Sequence, residues 1–153
     1  MNGFERASRI LEFDKVLLLL AQCAQTDGGR EKIKQLQPVS SYERACRMRD
    51  ETTCAKNLTV VYGPVSFSGM KDIIPIVERA FKGAVLSPSE LLDTSRVLSI
   101  AARMAAYRPK PDEEDVLSVY FDTLEPNRFL ERAITDAIIA EDIIADQASP
   151  ELI

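Results

Sequence analysis

Apolar residues in this chain recur at intervals of three and four residues, between residues that start and stop helices. The clearest start signal is Ser87-Pro88-Ser89-Glu90, which combines an N-cap serine, a proline at the first helical position and a glutamate three residues after the cap. The helix that follows is predicted to reach about Tyr107, with its apolar stripe formed by Leu91, Leu98, Ala101 and Ala105. This pattern predicts a mainly α, bundle-like fold.

Two helices are predicted in the first 38 residues. Phe13 to Ala24 has a helical apolar seam that Val16, Leu18 and Leu19 widen, so this helix is predicted to be buried on most sides. Thr26 is a candidate cap for a short second helix, which must end before Pro38 because proline cannot continue a helix. Two alternatives stay open for these many apolar side chains. They form a single core, or some of them stay exposed as a contact surface for another subunit or domain.

The middle of the chain predicts two more helices and a connector. Ser40 and Glu43 have the spacing of a capping box, and Asp72 is a candidate cap for a helix that runs to Lys82 and stops at Gly83. Residues 59–70 are predicted to be an irregular connector, with a strand as the alternative, because Thr59 to Tyr62 is β-branched and aromatic before Gly63-Pro64.

The last third is predicted to form a separate, acidic unit. Residues 1–107 form one helical lobe in this division, 108–111 form a linker, and 112–153 hold acidic helical segments and a hairpin. One helix is predicted to open at Asp112 and another at about Asn127, and the apolar runs 137–139 and 143–145 predict a short β-hairpin. Ser149-Pro150-Glu151 repeats the helix start signal, which predicts a further helix beyond Ile153.

Charge is unevenly distributed, and it restricts where nucleic acid could bind. Residues 1–111 carry 17 basic and 12 acidic side chains (+5), and residues 112–153 carry 2 basic and 12 acidic ones (−10). The acidic end is unsuited to a phosphate backbone. Candidate phosphate contacts are therefore Arg44, Arg47 and Arg49, with Lys32 and Lys34 as others, and the alternative is that these interleaved charges form a solvated surface.

The sequence predicts no catalytic, cofactor or metal site in this chain. It has no histidine, no GxSxG elbow, no dinucleotide fingerprint and no phosphate-binding GxxxxGK[ST] loop. Of the carboxylates Asp112 to Asp115, at best two share a helix face, too few for a metal site. The three cysteines lack CxxC spacing and are expected to be free thiols. No apolar run spans a bilayer or resembles a signal peptide, so we expect a cytoplasmic protein.

Several motifs, in order along the chain, resemble the opening of the MutS-two endonuclease family, the second MutS paralogue of bacteria. They are Leu11-Glu12-Phe13-Asp14-Lys15-Val16, the junction from Gln25-Thr26 to Gly29-Arg30, Gly69-Met70-Lys71-Asp72-Ile73, the run Gly83 to Leu92, and Asp146 to Leu152. Together they cover essentially the whole chain, and their ordered combination is more specific than any one of them.

The resemblance implies a non-catalytic N-terminal core and lever segment of a longer DNA-transacting ATPase. It implies that ATP, Mg²⁺ and nuclease chemistry belong to ATPase and Smr domains outside these residues, and that the segment's partners are those domains and the lever helices. The full-length protein is then expected to be a homodimer that acts on branched DNA, suppressing recombination, or on ribosomes. The alternatives are a free-standing helical adaptor for a protein partner and an isolated nucleic-acid-binding module.

Overall fold

The computed structural model describes residues 3–108, 116–140 and 143–145. Within these ranges the chain forms eight helices and two short strands, which confirms the mainly α prediction. The helices are α1 Gly3–Ile10, α2 Phe13–Cys23, α3 Asp27–Lys34, α4 Tyr42–Tyr62, α5 Ile74–Phe81, α6 Pro88–Ala106, α7 Ser118–Phe121 and α8 Arg128–Ala137, and the strands are β1 Ile138–Ala140 and β2 Ile143–Ile144.

Helix α6 is the centre of the packed part of the molecule. Its predicted capping box is present, because the Glu90 N–H donates to Ser87 Oγ at 3.3 Å and the Ser87 N–H donates to Glu90 Oε2 at 2.9 Å. The helix packs against α8 and β1, and α8 in turn packs against β1. Buried apolar side chains of this region come from α6, α7, α8 and β1, and they are Ile100, Ala102, Phe121, Ile134 and Ile138.

The predicted hairpin follows directly from α8. Strands β1 and β2 are antiparallel, with Ile138 opposite Ile144 and Ala140 opposite Ile143, and the register shifts between the two pairs. Ala137 is the last residue of α8 rather than the first of the strand. Asn127 caps α8 by accepting the Leu130 N–H at 2.9 Å, as an N-cap asparagine does. Residues 141 and 142, in the predicted turn, lie outside the described ranges.

The first three helices form a second packed group. Helix α1 packs on α2 and α2 packs on α3, and Thr26 caps α3 by accepting the Gly29 N–H at 3.0 Å. The prediction that the α2 segment is buried on most sides is wrong. Only the side with Leu17 and Ala21 is covered, and four outward side chains are 44–65% exposed, namely Val16, Leu18, Leu19 and Leu20.

Helix α4 differs from its prediction at both ends. Its N-cap is Ser41, whose hydroxyl accepts the Arg44 N–H at 3.3 Å, so the predicted capping box of Ser40 and Glu43 does not form. The β-branched residues before Tyr62 continue the helix, since an established helix tolerates them and the Thr59 hydroxyl donates to the Ala55 carbonyl at 2.9 Å. The irregular connector therefore runs from 63 to 73, rather than from 59 to 70 as predicted.

Helix α5 is shorter than predicted. Helix α5 begins at Ile74, whose N–H donates to the Asp72 carboxylate at 3.0 Å, and it ends at Phe81 before Gly83 takes the predicted left-handed conformation, with φ of 84°. Among the described residues of the helix predicted from 112, Ser118–Phe121 are helical. Residues 109–115, most of the predicted linker and the acidic run, and residues 146–153, with the last start signal, lie outside the described residues. The division into two lobes stays a prediction.

Candidate functional site

An open cleft lies where α7 meets the first half of α4. It has a volume of about 580 Å³ and is lined by Ser41, Glu43, Arg44, Arg47, Met48, Glu51 and Tyr120. The Tyr120 hydroxyl donates to Glu51 Oε1 at 3.1 Å, which joins two elements that are 69 residues apart in sequence. Residues of α4 form the floor of this cleft, and the half-exposed Tyr120 ring forms its opposite side.

Glu51 is the central acceptor of the cleft. Arg47 Nε donates to Glu51 Oε1 at 3.1 Å, so one carboxylate oxygen accepts both the guanidinium and the tyrosine hydroxyl. Arg44 is exposed on the same side of α4 and forms no ion pair with another described residue. Two arginines and two glutamates line the cleft, so the charges balance, and Arg44 is the cation best placed to receive an anionic group.

The structure brings together two of the three candidate arginines. Five residues separate Arg49 from Arg44, which places Arg49 on another side of α4. There Arg49 Nη2 pairs with Asp50 Oδ1 at 3.0 Å, and this hydrogen bond raises the pKa of Arg49 above its ordinary value. The other candidates lie on α3, where Lys34 pairs with Glu31 at 2.6 Å and Lys32 is exposed.

Tyr120 is the cleft residue that sequence reasoning missed. In the sequence, Tyr120 lies among apolar residues such as Val119 and Phe121, and nothing within a few residues of it points to α4. The contact depends on the fold that carries α7 to α4. One signal of this site was available in the sequence. Arg47 and Glu51 lie four residues apart on a predicted helix, the spacing at which oppositely charged side chains form an ion pair.

The described ranges contain no group of three metal-ligating side chains, while the Asp112 to Asp115 run lies outside them. The cysteines are free thiols, exposed at Cys23 and partly buried at Cys46 and Cys54. In the part of the chain that the structure describes, no helix has the length and apolar character needed to cross a membrane.

Known proteins provide an independent comparison. No protein-family model matches the chain. The chain is similar to proteins named Endonuclease MutS2: it is 38% identical over 156 residues to that of Lachnoclostridium phytofermentans, 36% over 151 residues to that of Ruminiclostridium cellulolyticum, and 35% over 152 residues to that of Acetivibrio thermocellus. Each match covers 97% of this chain but only 19–20% of the relative.

The matches run through essentially all of the chain, including the motifs that resemble the MutS-two opening. The chain spans about one fifth of the length of these relatives. Over this span, the chain therefore resembles the Endonuclease MutS2 family along essentially its whole length.

Proposed function

We propose that this chain is a non-catalytic N-terminal scaffold of a MutS2-type protein, which receives lever helices and relays nucleotide-dependent motion between clamp and ATPase. ATP and Mg²⁺ binding, endonuclease activity, homodimer formation and contact with DNA or ribosomes then belong to the longer cytoplasmic protein. The relatives' name, Endonuclease MutS2, and their roughly fivefold greater length support the proposal.

The observation that carries it is the uncovered outer surface of α2. Val16, Leu19 and Leu20 follow one another on this side at helical spacing, and all three are more than 40% exposed. An exposed apolar stripe of this kind is a contact surface in soluble proteins. The chain as a whole exposes 11783 Å², whereas a compact monomer of 17.1 kDa exposes about 7,800 Å².

The test mixes this chain with the separately produced remainder of the Lachnoclostridium phytofermentans relative and measures association by sedimentation. We expect a complex, and we expect Leu19→Gln to weaken it about tenfold or more, because burying a leucine contributes about 1.5–3 kcal/mol. Gln22→Ser is the matched control, since Gln22 is exposed on the same helix and its loss removes no apolar area.

Two outcomes would count against the scaffold. The first is no association at micromolar concentration, together with no rise in the thermal midpoint of this chain. The second is a complex that Leu19→Gln and Gln22→Ser weaken equally, which would place the contact away from the outer surface of α2.

The cleft supports a second candidate function, direct binding of nucleic acid. Arg44 and Arg47 lie side by side there with an exposed tyrosine ring, the combination that tracks a phosphate backbone and stacks a base. Glu43 and Glu51 in the same lining oppose it, which is why we rank it second.

Fluorescence anisotropy of a branched DNA at several salt concentrations tests this candidate. Arg44→Gln is expected to weaken binding and to reduce the slope of log K against log salt by about one, the change for one lost phosphate contact. Arg49→Gln is the control, because Arg49 pairs with Asp50 on another side of α4. No binding at low salt, or equal effects of the two substitutions, would exclude this cleft as the binding site.

A further inference from the structure

The connector, residues 63–73, has no helix or strand of its own, yet residues 63–68 in its first half alternate in exposure. Val65 and Phe67 are half-buried, whereas Pro64, Ser66 and Ser68 are exposed. This is the pattern of an extended segment that lies with one side against the protein. A loop without contacts would show no such alternation.

The α2–α3 junction holds the first part of the connector through one carboxamide. Gln25 Nε2 donates to the Val65 carbonyl at 3.3 Å, and the Phe67 N–H donates to Gln25 Oε1 at 2.8 Å. The side chain thus pairs with the connector backbone as a neighbouring strand would, and it satisfies a donor and an acceptor that have no partner within a helix.

Helix α6 holds the last part of the connector through a buried carboxylate. Asp93 is only 6% exposed, and its two oxygens accept Lys71 Nζ and Arg96 Nη1, each at 2.7 Å. Gly69, with φ of 77°, makes the turn before Lys71, and a Cβ there would lie 3.9 Å from the Arg96 side chain. A buried carboxylate is costly without its cations, so this contact resists opening.

The start of the connector is also attached to α6. The Tyr107 hydroxyl donates to the Gly63 carbonyl at 2.6 Å, and the rings of Tyr62 and Tyr107 meet edge to face with centroids 5.7 Å apart. Along its length the connector is therefore bonded alternately to α6, to the α2–α3 junction and to α6 again.

We infer that the connector is a coupling element that joins the α1–α3 group to α6 as one mechanical unit, with Asp93 and Gln25 as its two holding residues. Displacement at either holding residue then loosens the other, because only three residues separate Phe67 from Lys71 and the Met70 N–H closes them into a tight turn on the Phe67 carbonyl at 3.1 Å. The use of this coupling as a relay rests on the scaffold function proposed above, whereas the coupling itself is a property of this chain.

Hydrogen exchange on the whole chain tests the coupling at both ends. Asp93→Asn keeps the shape of the side chain but removes its charge, and we expect it to speed exchange of the Phe67 N–H about tenfold or more, the effect of losing a charge-assisted hydrogen bond. Reciprocally, Gln25→Ala should speed tryptic cleavage after Lys71, although Gln25 does not contact that residue. Asp27→Asn is the charge-matched control, since Asp27 is exposed and pairs with Arg30 inside α3.

The inference is overturned if Asp93→Asn leaves Phe67 exchange unchanged or if Gln25→Ala leaves cleavage after Lys71 unchanged. Faster exchange throughout α6 and α8 would mean that Asp93→Asn unfolds the chain. In that case Lys71→Gln is the deciding variant, because Asp93 keeps Arg96 as a partner and the fold is retained. Lys71→Gln must then speed exchange of the Phe67 N–H, and unchanged exchange overturns the inference. None of these results depends on the remainder of a longer protein, so they are separate from the association test.

Discussion

Two glycines show how the same residue type serves opposite purposes. Gly83 lies just after α5 with φ of 84°, and the Ala84 N–H closes the helix end on the Arg79 carbonyl at 3.0 Å. Gly28 lies inside α3, where an added Cβ would meet no atom within 4 Å. The left-handed conformation is costly for any residue with a Cβ, whereas a helical position favours one.

Gly83→Ala is therefore expected to destabilise the chain by about 1–2 kcal/mol, and Gly28→Ala to stabilise it by about 0.4–1 kcal/mol. Urea unfolding of the two variants beside the parent chain measures both values. Equal signs for the two substitutions would contradict the backbone argument.

Glu90 links stability to pH through the capping box of α6. Its pKa is held below the ordinary 4.5, mainly because the Ser87 backbone N–H donates to it, with partial burial opposing and with Arg79 and the Ser87 hydroxyl adding to the effect. Because the folded pKa is the lower one, this contribution is complete above pH 4.5 and is lost as pH falls through the folded value.

Glu90→Gln should flatten this part of the acid dependence. The parent chain is expected to lose more stability than the variant between neutral pH and pH about 3, since glutamine cannot gain a proton in this range. Thermal unfolding of each protein at a series of pH values, followed by circular dichroism of the whole chain, gives the comparison. Parallel curves of stability against pH for the two proteins would mean that Glu90 does not contribute to the acid dependence.

At the scale of elements, α6 and α2 are both rich in apolar residues but differ in what covers them. Ile100 in α6 is 4% exposed, whereas Leu19 in α2 is 65% exposed. Ile100→Ala should cost about 2–5 kcal/mol of unfolding free energy because it leaves a cavity. Leu19→Ala should stay within about 0.5 kcal/mol, as a surface substitution does.

Denaturant unfolding of these two variants, with Gln22→Ser as a surface control, measures the difference. A loss of several kcal/mol at Leu19 in the isolated chain would mean that α2 is covered within this chain. That result would contradict the proposal that the outer surface of α2 is a contact surface for a partner.

At the scale of the whole molecule, the large exposed area sets the response to denaturant. By the size relations for folded and unfolded chains, this chain buries about three quarters of the area that a compact monomer of its mass buries on folding. The urea m-value is proportional to that area, so it should be about three quarters of the value for compact proteins of similar length. An m-value equal to the compact one, in a monomer by sedimentation, would contradict this.

Local chemistry explains which elements were predictable. Caps at Ser87, Thr26 and Asn127 and the stop at Gly83 depend on atoms within one turn of the chain, so the residues alone indicate them. The end of α4 was not predictable in the same way, because the β-branched preference of residues 59–62 is weaker than the continuation of a helix already formed.

The candidate site was predictable in part. Arg44 and Arg47 were identified from their type and position, and their shared side of α4 follows from helical spacing. Tyr120 and the pairing of both partners with Glu51 were not, because they require α7 to lie against α4.

The residues alone predict the helical class, most helix starts, the hairpin and the family resemblance, because each depends on short-range bonding or on residue order. Three features follow only from the folded arrangement: which apolar side of α2 stays uncovered, how Gln25 and Asp93 hold the connector, and where Tyr120 lies. The cause is separation along the chain. Burial and long-range pairing depend on which elements pack together, and the residue pattern within one element does not indicate its packing partner.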